Sequence, residues 1–239
     1  DYQKLGSDIP DVSPAYSDFA SVRQWLIKAK GIREGNIIEL KDATSAQLTS
    51  VFGSESSHKG KLYNWTKPGV SNVYVYYSGH GAPAGKTGTA FLVPSDANAE
   101  SIELTGYPLS RLYSNLEKLP AISITVILEA CFSGSAQAGT LISKASGLHV
   151  SPKIPDVPSK ITVITAGAAD QIASWEQDDS NSLFTKYFLT GLSGVADRRP
   201  YGNLDRKVSW QELKSYLEGT MTYFARRYYG RNQRAQFTI

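Results

Sequence analysis

Two residues have the types and settings for nucleophilic chemistry. His80 lies between Gly79 and Gly81, directly after the β-branched and aromatic run 73–77, and glycines there allow a ligand close approach to the backbone. Cys131 is the only cysteine of the chain; it follows the apolar run 122–128 and stands in a turn with Ser133 and Gly134. An inert core thiol is expected within such a run, not just past its end. A free thiol is mostly protonated at neutral pH, but an adjacent imidazole raises its thiolate fraction and can later protonate a leaving amine. His80 and Cys131, 131 − 80 = 51 residues apart, are therefore the candidate catalytic pair.

The pair can meet only if two strand ends are neighbours. Runs 73–77, 122–128 and 161–165 read as buried strands. Between them lie helical patterns. Phe19, Val22, Leu26 and Ala29 share one face of a helix that starts at Ser13 and Pro14 and closes at Gly31, and Thr44 caps a second that ends at Gly53. Further helices are expected over 109–119, 182–192 and 209–223. This alternation predicts an α/β fold with an open, mostly parallel β-sheet flanked by helices on both faces. Ligands of such sheets sit beyond the carboxyl ends of the strands, where His80 and Cys131 both fall. Residues 135–160, with Pro152, Pro155 and Pro158 and little periodicity, read as a long exposed loop.

A chain of 239 residues with 41% hydrophobic content can bury one substantial core, so a single domain over 1–239 is expected. The net charge of +3 is too weak to argue for nucleic acid. No apolar run approaches the ~20 residues needed to cross a bilayer, so no membrane segment is expected. A single cysteine excludes an internal disulfide and leaves the compartment open.

The segments Tyr77-Ser78-Gly79-His80-Gly81 and Glu129-Ala130-Cys131-Phe132-Ser133-Gly134 resemble the two active-site motifs of the caspase and metacaspase superfamily, in their spacing as well. Similarity extends through Phe91-Leu92-Val93-Pro94-Ser95-Asp96 and Ser182-Leu183-Phe184-Thr185, and the chain looks like a bacterial-type, orthocaspase-like catalytic domain. The resemblance implies a cysteine endopeptidase that works through a His80–Cys131 dyad and an acyl-enzyme, with backbone N–H groups of Gly81 and Cys131 as the oxyanion hole. One departure is plain: the apolar strand that opens such domains is missing before Asp1 or lies upstream, so a preceding fragment that supplies it is a possible partner.

The resemblance also bears on specificity. Glu129 stands where metacaspases usually carry aspartate, and Asp18 and Ser78 match the other polar positions of a pocket for basic residues; a buried carboxylate pair suits a guanidinium. Ser174-Trp175-Glu176 resembles the caspase Ser-Trp-Arg segment with its charge reversed, and Trp175 would wall the neighbouring subsite. Cleavage after Arg or Lys is thus expected, with protein or peptide substrates. Self-cleavage after Lys144 or Lys153 in the 135–160 loop is expected with it, as in enzymes that process themselves. No metal ligand set is expected; Asp178 and Asp179, or Asp197 with Asn203 and Asp205, give only a weak hint of calcium activation, without EF-hand spacing. A catalytically silent caspase-like module that binds peptides or partners is the alternative, and a different acyl transfer is a third reading.

Overall fold

The computed structural model describes residues 1–5, 8–137, 139–140 and 151–239. The chain runs through α1 (Ala15–Lys28), α2 (Ser45–Phe52), α3 (Lys61–Trp65), β1 (Asn72–Ser78), β2 (Gly81–Ala84), β3 (Thr89–Leu92), α4 (Ile102–Thr105), β4 (Tyr107–Pro108), α5 (Leu109–Glu117) and β5 (Ser123–Glu129). After these come β6 (Ser135–Ala136), β7 (Gly139–Thr140), β8 (Ile161–Thr165), α6 (Leu183–Thr190), α7 (Trp210–Gly219), α8 (Met221–Tyr229) and β9 (Gln236–Thr238).

The three apolar runs form the parallel sheet expected of them. β5 lies between β1 and β8, paired from Asn72↔Ser123 to Ser78↔Glu129 on one side and from Ile124↔Ile161 to Leu128↔Thr165 on the other. The short β9 adds an antiparallel edge to β8, giving the order β1-β5-β8-β9. Side chains alternate across this sheet. Ile124, Val126 and Leu128 pack with Leu48 of α2 and Leu109, Leu112 and Leu116 of α5, whereas Ile127 packs with Leu183, Phe184 and Phe188 of α6 and Leu213, Leu217 and Met221 of α7 and α8. Helices therefore cover both faces, which is why the central strands can be apolar throughout. No helix among the described residues is long and apolar enough to cross a membrane.

Local signals end the elements where the sequence places them. Thr44 and Gln47 form a reciprocal capping box on α2, and Ser209 with Glu212 does the same on α7. Over 209–223 the structure departs from the sequence reading, because two helices replace one. Gly219 lies so close to the Tyr201 ring that an added Cβ would meet it at 2.6 Å, and the helix breaks at Thr220 beside this contact. The small antiparallel sheet β2-β3-β4, which the sequence reading did not anticipate, carries a separate apolar cluster of Tyr2, Ile9, Ala82, Phe91 and Val93.

The 135–160 segment is partly organised. β6 and β7 form a two-stranded hairpin, and the Lys153 N–H donates to the Gly88 carbonyl (2.7 Å), so the segment's later part bridges to the start of β3. Lys144 lies outside the described residues. The order of the central strands makes a direct prediction: Leu128, fully buried, should cost about 2–5 kcal/mol when changed to Ala, whereas Leu104→Ala at an 86% exposed position should be near neutral. Denaturant midpoints of the two variants check this.

Candidate active site

The β1–β5 register carries the two candidate residues out of the sheet side by side. Beyond the last matched pair, Ser78↔Glu129, the Gly79 N–H still bonds the Glu129 carbonyl (3.1 Å), and His80 and Cys131 each lie two residues past that pair. Gly81 then runs tightly against the cysteine turn: an added Cβ would meet the Cys131 carbonyl and the Phe132 ring, both at 2.7 Å. Only glycine allows this approach.

His80 is held at both its backbone and its ring. Its N–H donates to the Tyr2 hydroxyl (3.0 Å), which donates to the Val93 carbonyl, and its own carbonyl accepts from the Tyr77 hydroxyl (2.8 Å). The ring Nε2 lies 2.6 Å from the Pro10 carbonyl. A carbonyl can only accept, so Nε2 carries the hydrogen and the lone pair is on Nδ1. Burial pushes the imidazole pKa down to about 4, against the opposing pull of the Pro10 carbonyl and Asp11.

Cys131 is buried, and its Sγ accepts a hydrogen bond from the Ala173 N–H. Burial pushes the thiol up to about 12; the Ala173 N–H opposes this, the Glu129 charge reinforces it, and Arg231 opposes it. Among the described residues neither side chain of the pair is the other's hydrogen-bond partner, since Pro10 holds one and Ala173 the other. In this conformation both are neutral at physiological pH.

The three polar positions expected to line a pocket converge beside this pair. Asp18, on α1, is fully buried; its Oδ1 accepts from Asn181 Nδ2 (2.9 Å) and the Ser182 N–H (3.0 Å), and its Oδ2 from the Ser78 hydroxyl (3.4 Å). The Ser182 hydroxyl donates to Glu129 Oε2 (2.8 Å) and accepts from the Thr185 N–H, capping α6. One residue thus joins two buried carboxylates. Burial raises both, and the Asp18 charge raises Glu129 further, well above the usual carboxylate range. Among the described residues no lysine or arginine forms an ion pair with either.

Trp175 is buried and bridges to Ser182; its N–H donates to Gln137 Oε1 (3.1 Å), and its carbonyl accepts from the Tyr229 hydroxyl (2.8 Å). Glu176, the acid that reverses the charge of the resembling caspase segment, is neutralised by Lys186 at 2.8 Å. Asp197 accepts from the N–H groups of Asp205 and Arg206, and Asp178 from that of Ser180, so these carboxylates close their own loops. Among the described residues no group of three His, Cys, Asp or Glu is placed to hold a metal ion.

The model of the caspase domain matches residues 37–233, a span that contains the His80 and Cys131 strands, both turns and the segment up to Gln233. The chain belongs to the caspase-domain family. This is a family of cysteine peptidases. Among solved structures, the crystal structure of protein GSU0716 from Geobacter sulfurreducens is similar at 15% identity and a TM-score of 0.40, over 70% of this chain and 65% of that one. No curated protein matches the chain.

Around the candidate pair the sequence reading missed Pro10, Ser182, Ala173, Gln137 and Arg231. Only Ser182 left a signal, as a helix N-cap within a segment already noted for its similarity. The acid pair makes a prediction about pH. A carboxyl whose folded pKa is raised leaves stability intact below its ordinary value near 4.5 and removes it as pH climbs toward the raised value. Glu129→Gln keeps the shape and abolishes that titration, so its melting temperature relative to wild type should rise between pH ~5 and 8 and match near pH 4. Paired thermal melts across this range test it; a difference that stays flat with pH would contradict the buried-acid assignment. His80 runs the other way in both proteins, losing stability as pH falls from 6.5 toward about 4, and cancels in the comparison.

Proposed function

We propose that this caspase domain is an endopeptidase that cuts after arginine or lysine, with Cys131 as nucleophile and His80 as base. The observation that carries the reading is the buried pair Asp18 and Glu129, joined through Ser182 and without an ion-paired cation among the described residues, with Glu129 ending β5 two residues before the thiol. Two desolvated carboxylates are costly alone and favour a positive side chain with several N–H donors. Its arrival would return the pair to its charged form and lodge the following peptide carbonyl near Cys131.

In the proposed reaction the thiol leaves the Ala173 N–H and passes its proton to His80 Nδ1, the nitrogen that the Pro10 bond leaves free. The sulfur adds to the scissile carbonyl, whose oxygen takes negative charge from the breaking C=O π bond and is met by the N–H groups of Gly81 and Cys131. Collapse expels the amine, which takes the proton from His80, and water then hydrolyses the thioester. Trp175 would border the neighbouring subsite.

The proposal extends to two further features. β1 takes β5 as its ladder partner, and a groove of about 510 Å³ lined by Val22, Leu26, Ile37, Val73 and Val75 runs along its other side, suited to an apolar strand from an upstream fragment. Self-cleavage in the 135–160 loop would favour Lys144 over Lys153, because the Lys153 N–H is already bonded to Gly88.

Incubation with fluorogenic peptides that differ only in the residue before the cut, with and without calcium, tests the reading. Arg and Lys peptides should exceed the Asp peptide at least ~100-fold, and Glu129→Gln should erase most of that margin. Cys131→Ala should abolish cleavage, with His80→Ala nearly as severe, and chain fragments ending at Lys144 should appear by mass spectrometry in the active protein alone. Cleavage that survives Cys131→Ala, or equal use of Asp and Arg, would refute it.

A further inference from the structure

A second charge is bonded to the segment that bridges to Ser182, the serine between the two acids. Trp175 bridges to Ser182, and the Leu183 N–H bonds the Ser174 carbonyl (2.9 Å), so Ser174 and Ser182 belong to adjacent extended segments. The fully buried Ser174 accepts from Arg231 Nε through its hydroxyl (3.0 Å), just as Ser182 donates to Glu129. Ala173, one residue earlier, supplies the N–H that touches the Cys131 sulfur, and Arg231 and Cys131 feel each other's charge.

Among the described residues Arg231 has only neutral partners. Its guanidinium stacks on Tyr229 with 4.9 Å from carbon to ring centroid, and Nη2 donates to Gln137 Oε1 (2.7 Å). Among the described residues it forms no ion pair with a carboxylate. Desolvation lowers its pKa, which marks a charge held partly out of water without compensation. A planar fork whose Nη1 has no hydrogen bond among the described residues, braced by a serine and an aromatic face, matches a carboxylate. Gln137, which also bonds the Trp175 N–H and the Tyr229 hydroxyl, caps the fork with an uncharged oxygen that a carboxylate would displace.

We propose that Arg231 is an anion-binding residue near Cys131, and that it selects peptides carrying an aspartate or glutamate side chain beside the basic residue read by Asp18 and Glu129. The peptide half of the proposal rests on the peptidase reading; the anion site does not. Two measurements separate them. Cys131 is the sole cysteine, so the ratio of its alkylation rates by iodoacetate and iodoacetamide, at low ionic strength, reports the local charge alone. Arg231→Gln should lower that ratio about fivefold, while Arg231→Lys retains most of it. A merely structural role would change both rates alike and leave the ratio unmoved, which overturns the site.

The second arm uses Cys131→Ala protein and fluorescein-labelled lysine peptides with Asp, Glu or their amides at each flanking position, read by anisotropy. An acidic neighbour should tighten binding about tenfold, Gln137→Ala should enlarge the gain, and Arg231→Gln should remove it. Equal affinity of acidic and amide peptides would overturn the selectivity. A charge-dependent alkylation ratio without binding of any peptide would keep the anion site and sink the peptidase reading instead. Far-UV circular dichroism of each variant keeps misfolding apart from these outcomes.

Discussion

The parallel pairing of β1 with β5 is the constraint on which the site depends. Because Ser78 is opposite Glu129, a single register places a buried carboxylate beside the hydroxyl that reaches Asp18 and releases His80 and Cys131 together two residues later. A slip by one residue would turn Val73 and Val75 away from the cluster they share with Val126 and Leu128, so burial on one face fixes the geometry at the end. The close contact of Gly81 with the Cys131 carbonyl is the local consequence.

Burial governs the chemistry of everything the register brings together. It keeps the thiol and the imidazole neutral, raises both carboxyls and lowers Arg231, so the groups around Cys131 are held away from their ordinary charge states. Backbone groups supply the restraint: a Pro10 carbonyl sets the histidine tautomer and an Ala173 N–H holds the sulfur. A cationic group placed beside Asp18 and Glu129 would favour their charged forms.

Much of the fold was legible because its signals are local or periodic. The three apolar runs became the parallel core strands, and Thr44 and Ser209 capped helices as their chemistry requires. The conjunction of Asp18, Ser78 and Glu129 was legible only through family resemblance, since no spacing brings α1 to the end of β5. Ser182 left only the signal of a helix N-cap, because it reaches Asp18 across 164 positions and Glu129 across 53. Pro10 left none, since it acts through a carbonyl that every residue has, and neither did the break at Thr220, beside the tyrosine packed against Gly219. The charge reversal at Glu176 was legible from the resemblance, but its ion pair with Lys186, ten positions on, was not.

On this reading the acid pair and Cys131 read one and the same substrate. Labelling with peptidyl chloromethyl ketones that end in arginine or in aspartate, followed by peptide mapping, tests it most directly, because the reagent must occupy the pocket and meet the thiol at once. The account predicts one arginine-ketone adduct per chain, on Cys131, formed at least ~10-fold faster than the aspartate adduct. Equal labelling by the two reagents, or an arginine adduct on another residue, would contradict it.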